Sequence, residues 1–512
     1  MATGRRPGAR VSSEPVASPS VSPPSAPAFP PIPLSALVDA VPDAESRGDT
    51  ALSILDVAYD SRAVGTGALF CCVQGATADG HDFARAALDA GAAALVVERW
   101  LDVAAPQVLV RSVREAMGPI AARAFRDPAE AMTMLGVTGT NGKTTTTYLL
   151  EAIARRAGVR PGVIGTTGAR ADGEPLPLDR TTPEAPDLHR LLARMREGGV
   201  GLVAMEASSH ALDQHRVDGV IYDAVAFTNL SQDHLDFHAS MERYFAAKAA
   251  LFTSRHARRG FVNADDRWGR RLLTSPEIPV STFAIDVDAD LRAVEVEVFA
   301  SGIAFRIDGL AVHSSLRGAF NVSNCLAAIS LGRAAGLPDS AIVEGIADVR
   351  EVPGRVEPVD EGQEFLVVVD YAHTPDSILG VLQATRPLAT GRLIVVFGCG
   401  GDRDRAKRPL MGKAATSTAD LTIITSDNPR SEDPAEIIAA IEPGAIEGGG
   451  DYVIEADRRT AIARAVGDAA PGDVVVIAGK GHERTQEIAG RTIEFDDRAV
   501  ARAELRALGG RA

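Results

Sequence analysis

The sequence predicts an α/β protein built from three domains, and three observations carry that prediction. Apolar runs of strand length alternate with helix-patterned segments along nearly the whole chain. A glycine-rich turn, GVTGTNGKTTT at 136–146, lies between one such strand and one such helix. After VPGR at 352–355 the alternation restarts with further strand candidates. A chain of 512 residues is also too long for a single core, because domains average roughly 150 residues.

Residues 1–33 are rich in Pro, Ser and Ala, lack apolar periodicity and read as a disordered tail. Arg5, Arg6 and Arg10 mimic the start of a secretion signal, but no apolar stretch of the required ~7–15 residues follows them. Residues 34–112 read as a small α/β unit, with strands GALFCCVQG and GAAALVVER on either side of the helical HDFARAALDAG. Residues 113–352 read as a central P-loop ATPase-like domain with a mostly parallel sheet. It opens with the helix VREAMGPIAARAF, followed by the strand MTMLGVTG and the helix TTTYLLEAIARRAG, which Gly158 closes. VGLVAMEAS and YDAVAFTNL are further buried strands of that sheet. The alternating VEVEVFASGIAFRI predicts an antiparallel hairpin in or beside it. In 353–512 the segments FLVVVDYAH, RLIVVFGCG, LTIITSDN, YVIEADR and DVVVIAGKG predict a Rossmann-like, doubly wound α/β domain. Ligands of such sheets gather at the carboxyl ends of the strands, where the unusual polar clusters of this chain fall.

The 53 basic and 68 acidic residues leave a formal charge of -15, which disfavours nonspecific nucleic-acid binding and attraction to membrane surfaces. Phosphate ligands stay open to the chain, since their sites are built locally. No run of about 18 uninterrupted apolar residues occurs, so no membrane span is expected. Cys71, Cys72, Cys325 and Cys399 lack paired metal-ligand spacing and read as reduced, mostly buried thiols, which fits a cytoplasmic protein best.

The turn at 136–146 is the strongest chemical motif. Successive backbone N–H groups of such a turn face phosphate oxygens, and the following helix adds the positive end of its dipole. Lys143 is placed for the β/γ-phosphates and Thr144 for Mg2+. The strict G-x-x-x-x-G-K-[ST] form is not met, because Val137 stands where the first glycine belongs. Glu206, at the tip of an apolar strand, suits a metal beside a nucleotide, with a helix or turn cap as the lesser alternative. NLSQDHLDFH packs Asp233, His234, Asp236 and His238 together; Mg2+ and phosphate fit it better than zinc, and two of the four read as caps or surface groups. VFGCGGDRD lacks the last glycine of a dinucleotide fingerprint, which argues against a nicotinamide cofactor. IITSDNPR at 423–430 ends a strand in a turn holding Asp427 and Arg430, and by itself reads as an ordinary strand end.

Several ordered segments together resemble the Mur ligase family: TGTNGKTTT, TTPEA at 181–185, EASSHALDQHRV at 206–217, DHLDFH at 233–238, FNVSNCLAA at 320–328, VPGRVE at 352–357 and DYAHTPDS at 370–377. The resemblance runs from about residue 34 to the end and omits only the tail. It implies an ATP-dependent, ADP-forming ligase of peptidoglycan synthesis that activates a carboxylate as an acyl phosphate for attack by an amino group. Such catalysis rests on positioning and cations rather than on a protein nucleophile.

What the resemblance implies for individual residues follows family motif by family motif. ATP falls to Gly139, Thr140, Asn141, Gly142, Lys143, Thr144 and Thr145, with Asn321, Asn324, Arg355, Asp370 and His373 around adenine and ribose. Mg2+ falls to Thr144, Glu206, His234 and Lys248, the last as a carbamate. Read without the resemblance, Lys248 is a surface lysine on an amphipathic helix. Lys143, Glu206, His234 and Lys248 form the implied catalytic set. Ser61 and Arg62, with Gly75, Ala76, Thr77 and Ala78, match the uridine site of the N-terminal domain. Thr181, Thr182, Ser208, Gln214 and Arg216 match the pyrophosphate, sugar and dipeptide of UDP-N-acetylmuramoyl-L-alanyl-D-glutamate. Arg403, Asp427, Asn428, Pro429, Arg430, Gly479 and Glu483 match the amino-acid site. There the arginines pair with carboxylates, Asp427, Asn428 and Glu483 take ammonium groups, and Pro429 fixes the turn. The DNPR tetrad is similar to that of the branch using meso-diaminopimelate. The competing readings are the L-lysine-adding branch, a folylpolyglutamate synthase, and a nucleotide-regulated scaffold without ligase activity. The implied partners are small molecules, and a monomer is expected.

Overall fold

The computed structural model describes residues 29–75, 78–178 and 180–509. Residues 1–28 of the expected tail, and Ala76 and Thr77 of the expected uridine site, lie outside the described residues. The chain divides into two compact units, residues up to Val113 and residues from Arg114 onward.

In the first unit, strands Asp56–Ala58, Ala68–Cys71, Ala92–Val97 and Gln107–Leu109 pair in parallel, and Glu45–Arg47 closes the edge antiparallel to Gln107–Leu109. Phe70, Cys72, Leu95 and Val97 share its core with the helix Ala84–Asp89. Two short strands, Ile32–Pro33 and Ser53–Ile54, form a separate antiparallel pair. Asp60 accepts from the backbone N–H of Arg62 and so caps the turn over Ser61–Ala63.

The second unit holds two large sheets. A nine-stranded sheet runs, edge to edge, Glu174–Leu176, Gly168–Ala171, Pro161–Gly165, Leu202–Glu206, Thr133–Thr138, Ala224–Phe227, Gly260–Asn263, Val280–Ala284 and Leu291–Arg292. All its pairings are parallel except the two made by Gly168–Ala171. The two-residue period explains the all-apolar run MLGV. Met134 enters one core with Leu188 and Phe227, whereas Leu135 and Val137 enter the other with Leu149 and Leu326. The helix Lys143–Arg156 packs on that second face and ends before Gly158, whose φ of 73° closes it as expected.

The second sheet has six strands in the order Glu357–Pro358, Leu366–Asp370, Val474–Ala478, Leu393–Phe397, Leu421–Ile424 and Tyr452–Ile454. The five expected strands are all present and parallel to one another; Glu357–Pro358 is a short antiparallel addition. Val368, Val395 and Val476 line one face, and Val367, Ile394 and Val475 the other.

Two antiparallel pieces differ from expectation. The hairpin read over 294–307 is joined by Leu310–Ser314 into a separate three-stranded sheet, with a register shift between Val294 and Glu297 where Glu295 takes φ 51°. The hairpin Thr485–Ile488/Arg491–Glu494 was not foreseen, because its residues are largely exposed and polar and give no apolar alternation. All four cysteines are buried free thiols. Among the described residues no helix is long and apolar enough to cross a membrane.

Candidate functional site

The phosphate loop joins strand Thr133–Thr138 to helix Lys143–Arg156 at the carboxyl edge of the nine-stranded sheet. Gly139 and Gly142 hold φ values of 146° and 90°, and a Cβ on either would collide, at 1.9 Å with Thr228 Oγ1 and at 2.3 Å with Asn324 Oδ1. The end of the adjacent strand braces the loop. Thr228 Oγ1 and Asn229 Nδ2 donate to Asn141 O, the N–H of Asn141 donates to Asn229 Oδ1, and the N–H of Thr140 donates to Asn229 O. Thr140 Oγ1 lies 3.1 Å from Tyr244 Oη, and Thr145 is buried.

Two lysines converge on this loop. Lys143 Nζ folds back to donate to Gly139 O and Thr140 O at 2.9 and 2.8 Å. Lys248, on helix Met241–Ala249, is only 1% exposed and donates to the same Gly139 O at 2.8 Å. Burial pulls Lys143 below the ordinary lysine range. Burial, with Lys143 as a like-charged neighbour, pulls Lys248 well below it. The surface lysine read from the helix pattern alone is therefore corrected: amphipathic spacing does not show that this position faces the loop.

Glu206 closes strand Leu202–Glu206 and is buried. Its two carboxylate oxygens accept from Thr166 N at 3.0 Å and Thr166 Oγ1 at 2.9 Å. Thr166 O in turn lies 3.2 Å from His482 Nε2, in the segment that carries Glu483. In DHLDFH, Asp233 is buried and meets Lys407 Nζ at 3.0 Å, His234 Nε2 at 3.3 Å and His373 Nε2 at 3.5 Å. Burial raises the Asp233 carboxyl, but His373, His234 and Lys407 outweigh it and hold the group well below the usual range. Burial keeps His234 neutral, down to about 3. His238 turns away to Ser209 Oγ at 2.9 Å and Asp236 is exposed, so these are the two members that leave the cluster.

The second sheet reaches the loop directly. Arg355 donates to Thr144 Oγ1 at 3.1 Å, with its guanidinium 4.8 Å over the Tyr371 ring and its Nε buried and unpartnered. Asp370 is raised by burial, and both its oxygens are engaged by backbone N–H groups of Val356 and Ala372, so it fastens the turn that presents Arg355. Asn321 accepts from Asn324 Nδ2 at 2.8 Å, and Asn324 Oδ1 packs against Gly142.

Thr181 and Thr182 lie beside the same edge. Thr181 Oγ1 is 3.4 Å from Thr166 Oγ1, and Thr182 Oγ1 donates to Glu206 O. Ser208 caps helix Ser209–Asp213, and Arg216 is fixed by Gln214, Glu184 and Thr182 O. Ser61, Arg62, Gly75 and Ala78 belong to the first unit; Arg62 is exposed and pairs with Asp60 at 2.7 Å.

The residues expected at the amino acid span two strand ends of the second sheet. The chain bends at Asp427, and the turn comes later than the sequence suggested: Pro429 O accepts from Glu432 N, with Arg430 at φ 55° and its N–H bonded to Glu487 O. The unforeseen hairpin thus recruits Arg430 into backbone pairing. Arg430 NH1 donates to Gly401 O at 2.7 Å, and exposed Arg403 donates to Asp402 O. Asp427 Oδ2 occupies the space above Gly479, where a Cβ would approach to 2.5 Å. Asn428 Oδ1 accepts from Lys480 Nζ and Glu487 N, while its Nδ2 donates to Glu483 Oε2 at 2.8 Å. The expected role of Asn428 as an ammonium acceptor is therefore corrected, because that oxygen is already filled. Thr166, Asn229, Tyr244, Lys407 and Lys480 escaped sequence reading as site residues, since long-range packing alone brings them in.

The oxygen donors at the loop, Thr144 Oγ1 and Glu206, suit a hard divalent cation that completes its shell with phosphate oxygens and water. Among the described residues no group of three or more His, Cys, Asp or Glu is arranged to hold a metal by itself.

Comparison with known proteins agrees across nearly the whole chain. Residues 137–332 match the Mur ligase middle domain, 354–481 the Mur ligase glutamate ligase domain, and 54–126 the Mur ligase family catalytic domain. A relative from Geobacillus thermodenitrificans, UDP-N-acetylmuramoyl-L-alanyl-D-glutamate--2,6-diaminopimelate ligase, is 47% identical over 88% of this chain and 95% of its own. A relative of the same name from Streptomyces coelicolor is 46% identical, covering 93% of this chain and 97% of its own. A solved structure titled with that activity is 34% identical, with a TM-score of 0.65 over 94% of this chain and 99% of its own.

Proposed function

This chain belongs to the Mur ligase family, and we propose that it joins meso-2,6-diaminopimelate to the D-glutamate of UDP-N-acetylmuramoyl-L-alanyl-D-glutamate, with ATP hydrolysed to ADP and phosphate. The observation that carries this reading is the hydrogen-bond chain from Glu206 through Thr166 to His482, which ties the acid at the phosphate loop to the segment bearing Glu483. A ligase needs that coupling, because carboxylate activation and amine capture must occur on one substrate carbon.

In the first step an oxygen of the D-glutamate carboxylate bonds to the γ-phosphorus and ADP leaves. In the second the amine of the diamino acid, freed of its proton, attacks the acyl carbon, and phosphate departs with the bonding pair. Lys143, Arg355 and the loop N–H groups of Gly142–Thr145, those of Thr140 and Asn141 being bonded to Asn229, offset phosphate charge, while Asn321 and His373 border the nucleotide. Thr144, Glu206, neutral His234 and Lys248 as a carbamate would hold Mg2+, which supplies positive charge to the transferring phosphoryl group when bound. A buried lysine held below its ordinary range suits carbamate formation, since only the neutral amine adds carbon dioxide. Ser61 and Ala76–Ala78 are proposed for uridine, and Thr181, Thr182, Ser208, Gln214 and Arg216 for the rest of the nucleotide-sugar peptide. Free buried thiols support a reducing, cytoplasmic setting, and the reading needs no second copy of the chain.

The test is phosphate release with the UDP-muramoyl dipeptide, ATP and a panel of amino acids. Release requiring dipeptide and meso-diaminopimelate together is expected. Equal use of L-lysine, activity only with tetrahydrofolate and glutamate, or release without any amino acid would overturn the proposal.

A further inference from the structure

Lys480 is fully buried, at 0% exposure, and points its ammonium into the floor of the amino-acid cluster. Its three N–H bonds are matched by three acceptors: Asn428 Oδ1 at 3.1 Å, Glu483 Oε2 at 3.0 Å and Thr485 O at 2.7 Å. Glu487 N–H adds a second donor to Asn428 Oδ1 at 3.1 Å. Both lone pairs of that oxygen are therefore used by groups that can only donate. The assignment of the amide follows from chemistry, because an NH2 group facing an ammonium and a backbone N–H would bury unpaired donors. Nδ2 must then face outward, spending one N–H on Glu483 Oε2 and keeping the other for a ligand.

From this geometry we infer that Lys480 is a positioning residue that determines specificity for the second head of the amino acid, an inference that rests on the proposed ligase reading. By locking the Asn428 amide it turns the cluster into a donor toward the ligand. A donor matches a carboxylate and repels a bare ammonium, so a diamino acid with a second carboxylate is accepted and one with only a terminal amine is disfavoured. Lys480 also shares Glu483 Oε2 with Asn428, leaving Oε1 of Glu483 to receive the adjacent ammonium.

The experiment compares wild type with Lys480→Met, which fills the volume but removes the donors. The KM for meso-diaminopimelate should rise about tenfold or more while the KM for ATP stays put, and the preference over L-lysine should shrink. In an Asn428→Ala background the same substitution should add little, since its effect runs through that amide. Unchanged diaminopimelate KM and unchanged preference, or full additivity with Asn428→Ala, would overturn the inference while leaving the ligase reading intact. Should Lys480→Met fail to fold, the wild type is assayed with diaminopimelate whose second carboxylate is converted to an amide. A loss of about tenfold or more supports the inference and equal use overturns it. A wild type that does not use diaminopimelate at all sinks the ligase reading and this inference together.

Discussion

Lys143 and Lys248 donate to one acceptor, the carbonyl oxygen of Gly139, at 2.9 and 2.8 Å. Two ammonium groups on one oxygen in a buried setting repel, and the more buried Lys248 yields its proton more readily. The loop carbonyl thus holds the two amines side by side, with Lys248 the further of the two below the ordinary lysine range.

Lys248→Ala is expected to lose ~100-fold or more in kcat, as for removal of a preorganised charge at a transferring group. A short carboxylic acid supplied at high concentration should restore part of it by standing in for the carbamate. The check is a rescue titration on folded variant protein; no recovery counts against carbamylation.

Arg430→Lys should weaken use of diaminopimelate by about tenfold or more with ATP kinetics nearly unchanged, because a point ammonium cannot copy a planar guanidinium fork. Arg430 NH1 is already oriented by Gly401 O, and its backbone N–H by Glu487 O, so the substitution alters the head and little else. Steady-state KM values for both substrates decide it, and equal losses would assign Arg430 elsewhere.

The pair Arg458–Asp497 is fully buried, each side chain at 0% exposure, and Arg458 also donates to Ser426 O and Ala478 O beneath the two strand ends of the amino-acid cluster. Removing one partner leaves a buried charge uncompensated, at a cost of about 3–5 kcal/mol. Asp497→Asn should therefore melt well below wild type, and a double variant, Arg458→Met with Asp497→Leu, should melt above Asp497→Asn. Thermal melts of the three proteins test this directly.

His189 is buried, Nε2 donating to Asp218 O at 3.0 Å, and burial lowers it from 6.5 to about 4. Between those values the unfolded chain binds the proton and the folded chain does not, so stability falls as pH drops through that window, by at most ~3 kcal/mol. Above the upper value the contribution is complete. His189→Gln lacks this acid limb, so its stability relative to wild type should improve on going from neutral pH to about pH 4.5, as read by urea midpoints. A gap independent of pH would remove His189 as the cause.

The local chemistry was legible in the sequence. Strand runs such as MLGV and VVVIA, the loop glycines and the Gly158 stop each follow from period, sterics or φ preference, and the family motifs named the residues around the loop. Other features were not legible. Lys248 looked like a surface lysine because a helix pattern reports a stripe and not what covers it. Asn428 looked like an ammonium acceptor because an amide has both donor and acceptor ends, and its direction depends on Lys480 and Glu487. The hairpin over 485–494 has no apolar face, so it sent no periodic signal, yet it moves the turn from Asp427–Arg430 to Pro429–Glu432.

By itself the sequence determined the α/β class, the phosphate loop and the inventory of charged groups, because these depend on spacing along the chain and on side-chain type. Only the tertiary structure decided which lysine is held furthest below its ordinary range, which end of the Asn428 amide Lys480 and Glu487 occupy, and which acid is held by Thr166. Those outcomes depend on burial and on hydrogen-bond partners tens to hundreds of residues away, such as Thr166 and His482 or Thr144 and Arg355, which no local pattern encodes.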